Sequence, residues 1–146
     1  MHTYLQPLAR ALVALIFILS GLGKLAAFSA TLQMMSTVGF PAPALLLLGA
    51  VVLEVGGGFA VLVGYKTRWA TLALIMFLIP ATLVFHVASL GDQAQGQQQM
   101  VEVLKNLAIM GGLLRLFADG AGAFSLDAAW PKGSVTTDTT GTLVRS

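Results

Sequence analysis

The chain has 146 residues, of which 57% are hydrophobic and 10% are charged, and its formal net charge is +2. Soluble domains carry roughly 25% charged residues, so a soluble chain of this length could not bury so much apolar surface, and the lipid bilayer is its predicted surrounding. The lack of cysteine excludes disulfides, iron–sulfur clusters and dithiol exchange within the chain. With His2 and His86 as its two histidines, we expect no metal or haem site. The small net charge gives no indication of a nucleic-acid partner.

Four apolar stretches predict membrane spans, because about 20 helical residues cross the roughly 30 Å hydrocarbon core of a bilayer. They cover approximately residues 8–28, 43–64, 69–90 and 99–118. The fourth is the weakest, since its charged residues leave a short apolar core, and we expect it to insert against its neighbours. The predicted fold is all-α, a four-helix transmembrane bundle with short loops and a polar C-terminal tail. An alternative is that the first stretch is a cleaved signal peptide, which would leave three spans.

The segments between the apolar stretches have the composition of turns. Residues 39–43 contain two prolines, which places a helix start near Pro43. Residues 64–69 form a short basic connection, and residues 91–98 are rich in glutamine. After Asp127 the chain becomes polar. We therefore predict a membrane domain over residues 1–126 and a disordered cytoplasmic tail over residues 127–146.

The distribution of Lys and Arg predicts the orientation in the membrane. An even number of spans puts both termini on one side, and that side holds six of the basic residues: Arg10, Lys66, Arg68, Arg115, Lys132 and Arg145. Because cytoplasmic loops carry an excess of Lys and Arg, both termini are predicted to be cytoplasmic. The first four of these residues are interpreted as topology determinants.

Five polar residues interrupt the apolar stretches: Lys24, Glu54, His86, Lys105 and Asn106. A charge in hydrocarbon costs about 2.5–3.5 kcal/mol, so such a group needs a partner, a water-filled cavity or a function. From the helical rise, all five lie between the membrane midplane and the non-cytoplasmic face. We therefore expect them to turn toward a common interior.

Each of these residues has a structural interpretation. Lys24 would extend its ammonium to the membrane interface. Glu54 would pair with one of the two lysines, or stay protonated and bond to the backbone. His86 would bond to a carbonyl freed by Pro80, which is predicted to kink its span. Asn106 would link two helices.

The functional interpretation is a proton-handling pair, with Glu54 and His86 as catalytic residues. Such a pair can accept protons from a hydroxylated ring such as a quinol, while Lys24 or Lys105 stabilises the anion and Asn106 orients a ring oxygen. An apolar cleft between helices suits a lipid-soluble ring, so quinone is the predicted cofactor. A binding or ion-conducting role would use the same residues.

Motifs in order along residues 8–127 resemble the DoxX family of bacterial integral membrane proteins. They are Arg10 with LVALIFILSGLGKL, GFPAP at 39–43, EVGG at 54–57, the turn at 64–68, Ala81-Thr82, Phe85-His86, KNLA at 105–108, GGLL at 111–114 and GAGAFSLD at 120–127. The resemblance implies a four-span protein of the bacterial cytoplasmic (inner) membrane. It also implies a link to redox chemistry, since a related protein is part of a thiosulfate:quinone oxidoreductase.

The recurring polar positions of this family correspond here to Lys24, Glu54, His86 and Asn106. Because the chain has no cysteine, any thiol or thiosulfate chemistry would belong to a soluble oxidoreductase partner.

Three hypotheses follow for the function. The first is the membrane, quinone-facing component of an oxidoreductase system. The second is a non-catalytic membrane scaffold or anchor for a soluble redox or stress-response enzyme, in which the polar residues only lock the helices together. The third is transport of a small solute or proton, which would need an oligomer because four spans are few for a transporter. The sequence predicts no particular oligomeric state.

Overall fold

The computed structural model describes residues 4–87, 90, 96–130, 135–137 and 143–145. Its helices are α1 (Leu5–Ala26), α2 (Phe28–Val38), α3 (Pro43–Val63), α4 (Thr67–Thr82), α5 (Gly96–Asp119) and α6 (Leu126–Ala129), with a π-helical turn over Leu83–Val87 directly after α4. Two short strands of the predicted tail, β1 (Val135–Thr137) and β2 (Leu143–Arg145), pair antiparallel. Most of the predicted glutamine-rich loop, at residues 91–95, lies outside the described residues, as do residues 88–89 of the third stretch and residues 131–134, 138–142 and 146 of the tail.

Three helices of the described chain are long and apolar enough to cross a membrane: α1, α3 and the continuous helix Thr67–Val87. They correspond to the first three predicted spans, and the helical architecture of the membrane part is confirmed. α5 has 24 residues, but it falls short of the same apolarity because it carries four charged residues, Glu102, Lys105, Arg115 and Asp119. The count of four spans therefore stays a prediction.

Local sequence explains where several helices begin and end. Pro43 lies in the first turn of α3, as predicted, because its fixed φ suits that position and its missing N–H has no partner to lose there. α3 ends at Val63 and is followed by Gly64, whose φ of 70° is a left-handed conformation that glycine adopts readily. α2 was not predicted. It lies between the first two spans and buries Met35.

The main hydrophobic core lies between α1, α3, α4 and α5, and Ala14, Val61, Leu74 and Leu113 are completely buried there. A second, smaller cluster around Met35 packs α2 against α3. The outward face of α1 carries a row of exposed leucines: Leu5, Leu8, Leu12, Leu15, Leu19 and Leu22. Soluble monomers rarely expose so continuous an apolar stripe, which is the face a membrane helix presents to lipid.

Arg10 is buried at one end of the bundle, which revises its interpretation as a residue that acts only on topology. Its side chain donates from Nη1 to the Ala121 carbonyl at 2.6 Å and from Nη2 to the Phe124 carbonyl at 2.7 Å. The residue is 2% exposed. A Cβ at Gly64 would collide with Arg10 and Ser125, so the site requires glycine. The guanidinium fastens the segment after α5 to the start of α1.

Asp127 caps α4 from the far end of the chain. Its carboxylate accepts hydrogen bonds from the backbone N–H groups of Lys66 at 2.7 Å and Thr67 at 2.9 Å, and its own N–H donates to the Gly64 carbonyl at 2.8 Å. Helix N-termini leave N–H groups without intrahelical partners, and the helix dipole favours a carboxylate there. Asp127 therefore contacts the folded end of the bundle, although it was assigned to the tail. The division into membrane domain and disordered tail stays a prediction.

We expect Asp127→Ala to lower the free energy of unfolding by about 1 kcal/mol at neutral pH, the usual contribution of a helix N-cap. Burial raises the pKa of Asp127, but hydrogen bonds from Thr67 and Lys66 and the charge of Arg10 outweigh burial and hold the pKa below its ordinary value. A depressed carboxyl pKa stabilises the protein fully above the unfolded pKa of about 3.9, and this stabilisation is lost as the pH falls through the folded pKa. Denaturant unfolding in detergent, followed from neutral pH into acid, measures the difference.

Asp119→Ala is the matched control. Asp119 pairs with Arg115 at 2.8 Å on an exposed face, and such pairs contribute about 0–1 kcal/mol. A loss of stability in Asp127→Ala that is as large in acid as at neutral pH would contradict the capping role of the carboxylate.

Candidate functional site

A cavity of about 680 Å³ opens between the helices, at the end of the bundle opposite Arg10. All five polar residues selected from the sequence line this cavity: Lys24, Glu54, His86, Lys105 and Asn106. They reach it from α1, α3, the π-helical turn and α5. The cavity therefore collects polar groups from four separate helical segments, while their roles in catalysis or binding stay predictions.

Glu54 forms a three-residue network with Lys24 and Ser20. Lys24 Nζ donates to both carboxylate oxygens, Oε1 at 2.9 Å and Oε2 at 2.8 Å, and to Ser20 Oγ at 2.8 Å. Ser20 Oγ in turn donates to Glu54 Oε1 at 3.1 Å. Glu54 is 4% exposed. The structure thus selects the ion pair among the structural interpretations, and the expectation that Lys24 extends its ammonium to the interface was wrong.

Side-chain direction explains how Lys24 reaches a carboxylate nearer the membrane centre. Helical side chains point back toward the N-terminus, so the lysine stem runs down α1 to Ser20, one turn earlier, and meets Glu54 on α3. Gly21 makes this approach possible. A Cβ at Gly21 would lie 2.6 Å from Val55 Cγ2 and 3.2 Å from Glu54 Cβ, so a larger residue would push the two helices apart.

His86 lies on the π-helical turn and bonds across to α5. Its Nδ1 is 2.8 Å from Gln99 Oε1, so its partner is a side chain and not the backbone carbonyl that was expected. Pro80 lies inside α4, three residues before the π-helical turn begins. Its missing N–H interrupts the hydrogen-bond ladder, and single π-helical turns are frequent at functional sites.

Glu54 and His86 face one cavity but do not bond to each other within the described chain. Glu54 is held by Lys24 and Ser20, and His86 is held by Gln99. The predicted proton-handling pair is therefore two separate groups on one cavity wall.

Asn106 and Lys105 are neighbours on α5 but differ in exposure. Asn106 is 7% exposed, and its Nδ2 donates to Thr82 Oγ1 at 3.0 Å, while the Thr82 hydroxyl donates to the Leu78 carbonyl at 2.7 Å. These two hydrogen bonds connect α5 to α4, as the structural interpretation expected. Lys105 pairs with Glu102 on its own helix, and its side chain is 44% exposed. Lys105 is therefore not the partner of Glu54.

Most of the remaining wall of the cavity is apolar, and part of it is contributed by α2. Met34 and Met35 contribute from α2, and Phe77 lies on α4. The rings of Phe40 and Phe85 stack with 5.4 Å between their centroids, and both line the cavity. A ligand here would meet polar groups together with flexible thioethers and aromatic rings.

Three parts of the site were missed from the sequence: Ser20, Gln99 and the helix α2. Ser20 precedes Lys24 by one helical turn, and that spacing could have identified it. Gln99 could not be distinguished from the glutamines beside it. Within the described residues, no group of three or more His, Cys, Asp or Glu could hold a metal ion. The polar groups on the cavity wall can form hydrogen bonds, and an imidazole and a carboxylate are the side chains that most often transfer protons.

We expect Lys24→Met to lower the free energy of unfolding by about 3 kcal/mol or more, because removing one partner of a buried ion pair strands the other charge. Glu54→Gln should have a smaller effect, since the Lys24 side chain is 30% exposed and its ammonium can turn to water. The double variant should be less destabilised than the sum of the single variants by about 1–3 kcal/mol. Denaturant unfolding in detergent micelles measures all three.

The second ion pair on the cavity wall provides the control. Lys105→Met and Glu102→Gln remove an exposed pair of the same residue types, and their coupling should stay below about 1 kcal/mol. Additive effects of the Lys24 and Glu54 substitutions would show that this ion pair does not hold α1 against α3.

Comparisons with known proteins agree with the family resemblance that the motifs indicated. The sequence profile of the DoxX family matches residues 5–87, which include Lys24, Glu54 and His86 but end before Lys105 and Asn106. The chain is 37% identical over 119 residues to the inner membrane protein YqjF of Escherichia coli (strain K12), covering 82% of this chain and 86% of that protein. It is 35% identical over 121 residues to the inner membrane protein YphA of the same organism, with the same coverage of each. No solved structure matches. The chain therefore belongs to the DoxX family, as a membrane protein with several apolar helices.

Proposed function

We propose that this protein is the quinone-facing membrane component of an oxidoreductase system in the bacterial inner membrane. The observation that carries the proposal is the cavity, whose lining combines apolar side chains with an imidazole, a buried carboxylate and a buried amide. Its volume of about 680 Å³ lies within the range of roughly 300–1,000 Å³ typical of small-molecule sites. The combination of polar and apolar lining residues suits a ring with a polar edge and an apolar body.

In this proposal the residues that line the cavity have different roles. His86 and Glu54 hold and release protons at Nε2 and at the carboxylate oxygens. Asn106, Lys105 and Lys24 orient the oxygen of the ring and stabilise negative charge on it. The methionines and phenylalanines exclude water from the ring face. A bound quinone would supply two-electron, two-proton redox chemistry, with electrons from a soluble oxidoreductase partner.

The alternative function is a non-catalytic scaffold or anchor for a soluble redox or stress-response enzyme. The observation that favours it is the completeness of the polar contacts. Lys24 joins α1 to α3 through Glu54, and Asn106 joins α5 to α4 through Thr82. In this alternative the polar residues stabilise the bundle and the cavity is filled by lipid.

Native mass spectrometry of the protein released from mild detergent distinguishes the two functions. We expect quinone to remain bound to the wild-type protein, and we expect Glu54→Gln and His86→Ala each to lose most of it, about tenfold or more, because each removes a polar contact to the ring. Asp119→Ala, at the opposite end of the bundle, is the control and should retain quinone.

Two outcomes of this measurement would count against the proposed function. Quinone retention in both cavity variants at the wild-type level would remove the proposed roles of Glu54 and His86. A stoichiometric soluble partner in preparations that contain no quinone would favour the scaffold.

We further propose that α5 is a fourth membrane span and that both termini are cytoplasmic. α5 begins at Gly96, where a Cβ would lie 2.8 Å from the Leu90 carbonyl oxygen, and it ends where Arg68 Nη2 donates to the Ala118 carbonyl at 3.3 Å. It therefore returns along the whole of α4. Its length of about 36 Å at 1.5 Å per residue matches a span, and its polar residues Glu102, Lys105 and Asn106 lie on the cavity wall.

Single cysteines introduced into this cysteine-free chain provide a test of the topology. We expect a membrane-impermeant maleimide to label Thr37→Cys in intact spheroplasts, because this residue is exposed on α2 at the non-cytoplasmic end. Tyr65→Cys and Trp130→Cys should react only after lysis. Labelling of Trp130→Cys in intact spheroplasts while Tyr65→Cys stays protected would mean three spans and a non-cytoplasmic C-terminus.

A further inference from the structure

The exposed part of the cavity wall is almost entirely apolar. Among the described residues that line the cavity, seven are exposed: Met34, Leu45, Leu46, Gly49, Pro80, Val84 and Lys105. Lys105 is the one charged residue of this set, and it pairs with Glu102 on its own helix. The buried part of the wall, by contrast, includes Glu54 and Asn106. The cavity is therefore open where it is apolar.

Five of the exposed lining residues lie on two helical segments, α3 and α4 with its π-helical turn: Leu45, Leu46, Gly49, Pro80 and Val84. These segments are packed neighbours nearer the membrane centre, since a Cβ on Gly57 would lie 3.0 Å from Leu74 Cδ2. The five residues therefore border a gap between α3 and α4, which we term the lateral opening.

The depth of the lateral opening places it in hydrocarbon. α3 covers Pro43–Val63 and is centred on Leu53, so Gly49 lies about 6 Å and Leu45 about 12 Å from the membrane midplane at 1.5 Å per residue. Half of the hydrocarbon core measures roughly 15 Å. Leu45 is 76% exposed, and at this depth its surroundings are lipid chains and not water. The lateral opening therefore faces the bilayer.

Gly49 leaves free space at the edge of the lateral opening. It lines the cavity, but a Cβ on it would have no heavy atom of the described chain within 4 Å. It lies five residues before Glu54 on the same helix, a separation of about 7.5 Å along the axis. The polar residues of the cavity and the surrounding lipid are thus less than two helical turns apart.

From this geometry we infer that the cavity takes a ring with a long aliphatic tail, and that the tail leaves through the lateral opening into the bilayer. The inference rests on the proposed function, since it names the class of ring lipid that binds at the same site. The ring lies beside the polar residues, and the tail passes Gly49. Because lipid chains are as apolar as the opening, the tail gains little free energy there. The lateral opening accommodates the tail, while the ring supplies the affinity.

Equilibrium binding of two probes to the protein in nanodiscs provides the test. The probes are a decyl-substituted benzoquinone and the same benzoquinone with a methyl group in place of the decyl chain. We expect Gly49→Trp/Val84→Trp to lower the affinity for the decyl probe at least about tenfold, because an indole from each edge fills the space that the tail needs. The affinity for the methyl probe should stay within about twofold of the wild-type value. Each probe is compared between variants, so its partition into the bilayer cancels.

Gly56→Trp/Met76→Trp is the matched control. Gly56 lies on α3 and Met76 on α4, both are exposed, and neither lines the cavity. As at Gly49, a Cβ on Gly56 would have no heavy atom of the described chain within 4 Å. The control should bind both probes as the wild-type protein does. An equal loss of the decyl probe in this control would refute the special role of the lateral opening.

The remaining outcomes distinguish this inference from the proposed function. If neither probe binds to the wild-type protein, the proposed function fails and the inference fails with it. If both probes bind and Gly49→Trp/Val84→Trp keeps the wild-type affinity for the decyl probe, the path of the tail is refuted while the ring-binding site stands. An equal loss of both probes in that variant would place the ring itself at the opening and refute the inference. Binding of the decyl probe alone to the wild-type protein would show that the tail supplies the affinity, which also refutes it.

Discussion

An ionised side chain cannot remain unpaired in hydrocarbon, and the arrangement of the first and third helices follows from this constraint. Glu54 lies in the most apolar of the spanning helices and is almost fully buried. Its charge is compatible with that position only because Lys24 and Ser20 meet it from α1. The close approach needs Gly21. Three residues within two turns of α1 therefore accommodate one carboxylate on α3: Ser20, Gly21 and Lys24. The ion pair of Lys24 and Glu54 forms one part of the cavity wall, and the other lining residues complete it.

The motifs shared with the DoxX family separate into two groups at opposite ends of the bundle. Lys24, Glu54, Phe85-His86 and the pair at 105–106 meet around the cavity. Arg10, the turn at 64–68 and the segment at 120–127 meet at the other end, where hydrogen bonds to backbone atoms hold them together. The contacts of the second group fix the ends of helices. The two groups thus have different physical roles although they are mixed along the sequence.

The sequence predicted the features that depend on hydropathy and on the cost of buried charge. Three spans, the helix start at Pro43 and the set of residues that line one cavity were all accessible in this way. The partners of those residues were harder to predict, because a partner depends on how helices cross. Lys24 was expected at the interface, since its position on α1 gives no sign that its stem runs back toward Glu54. Arg10 was interpreted from its charge alone, because a contact with carbonyls more than a hundred residues later leaves no local pattern. α2 was missed because it is short and only moderately apolar.

The cap on α4 has a consequence for biosynthesis. The first turn of α4 is made early, but the carboxylate that completes its hydrogen bonds belongs to Asp127, which is synthesised after every long helix of the protein. Because chains emerge from the ribosome N-terminus first, the turn between α3 and α4 stays incompletely bonded until Asp127 has been synthesised. Closure of that end by Arg10 and Asp127 is therefore a late event in assembly. A chain that stops before residue 120 lacks the Ala121 and Phe124 carbonyls and the Asp127 carboxylate, so this end of the bundle would stay open.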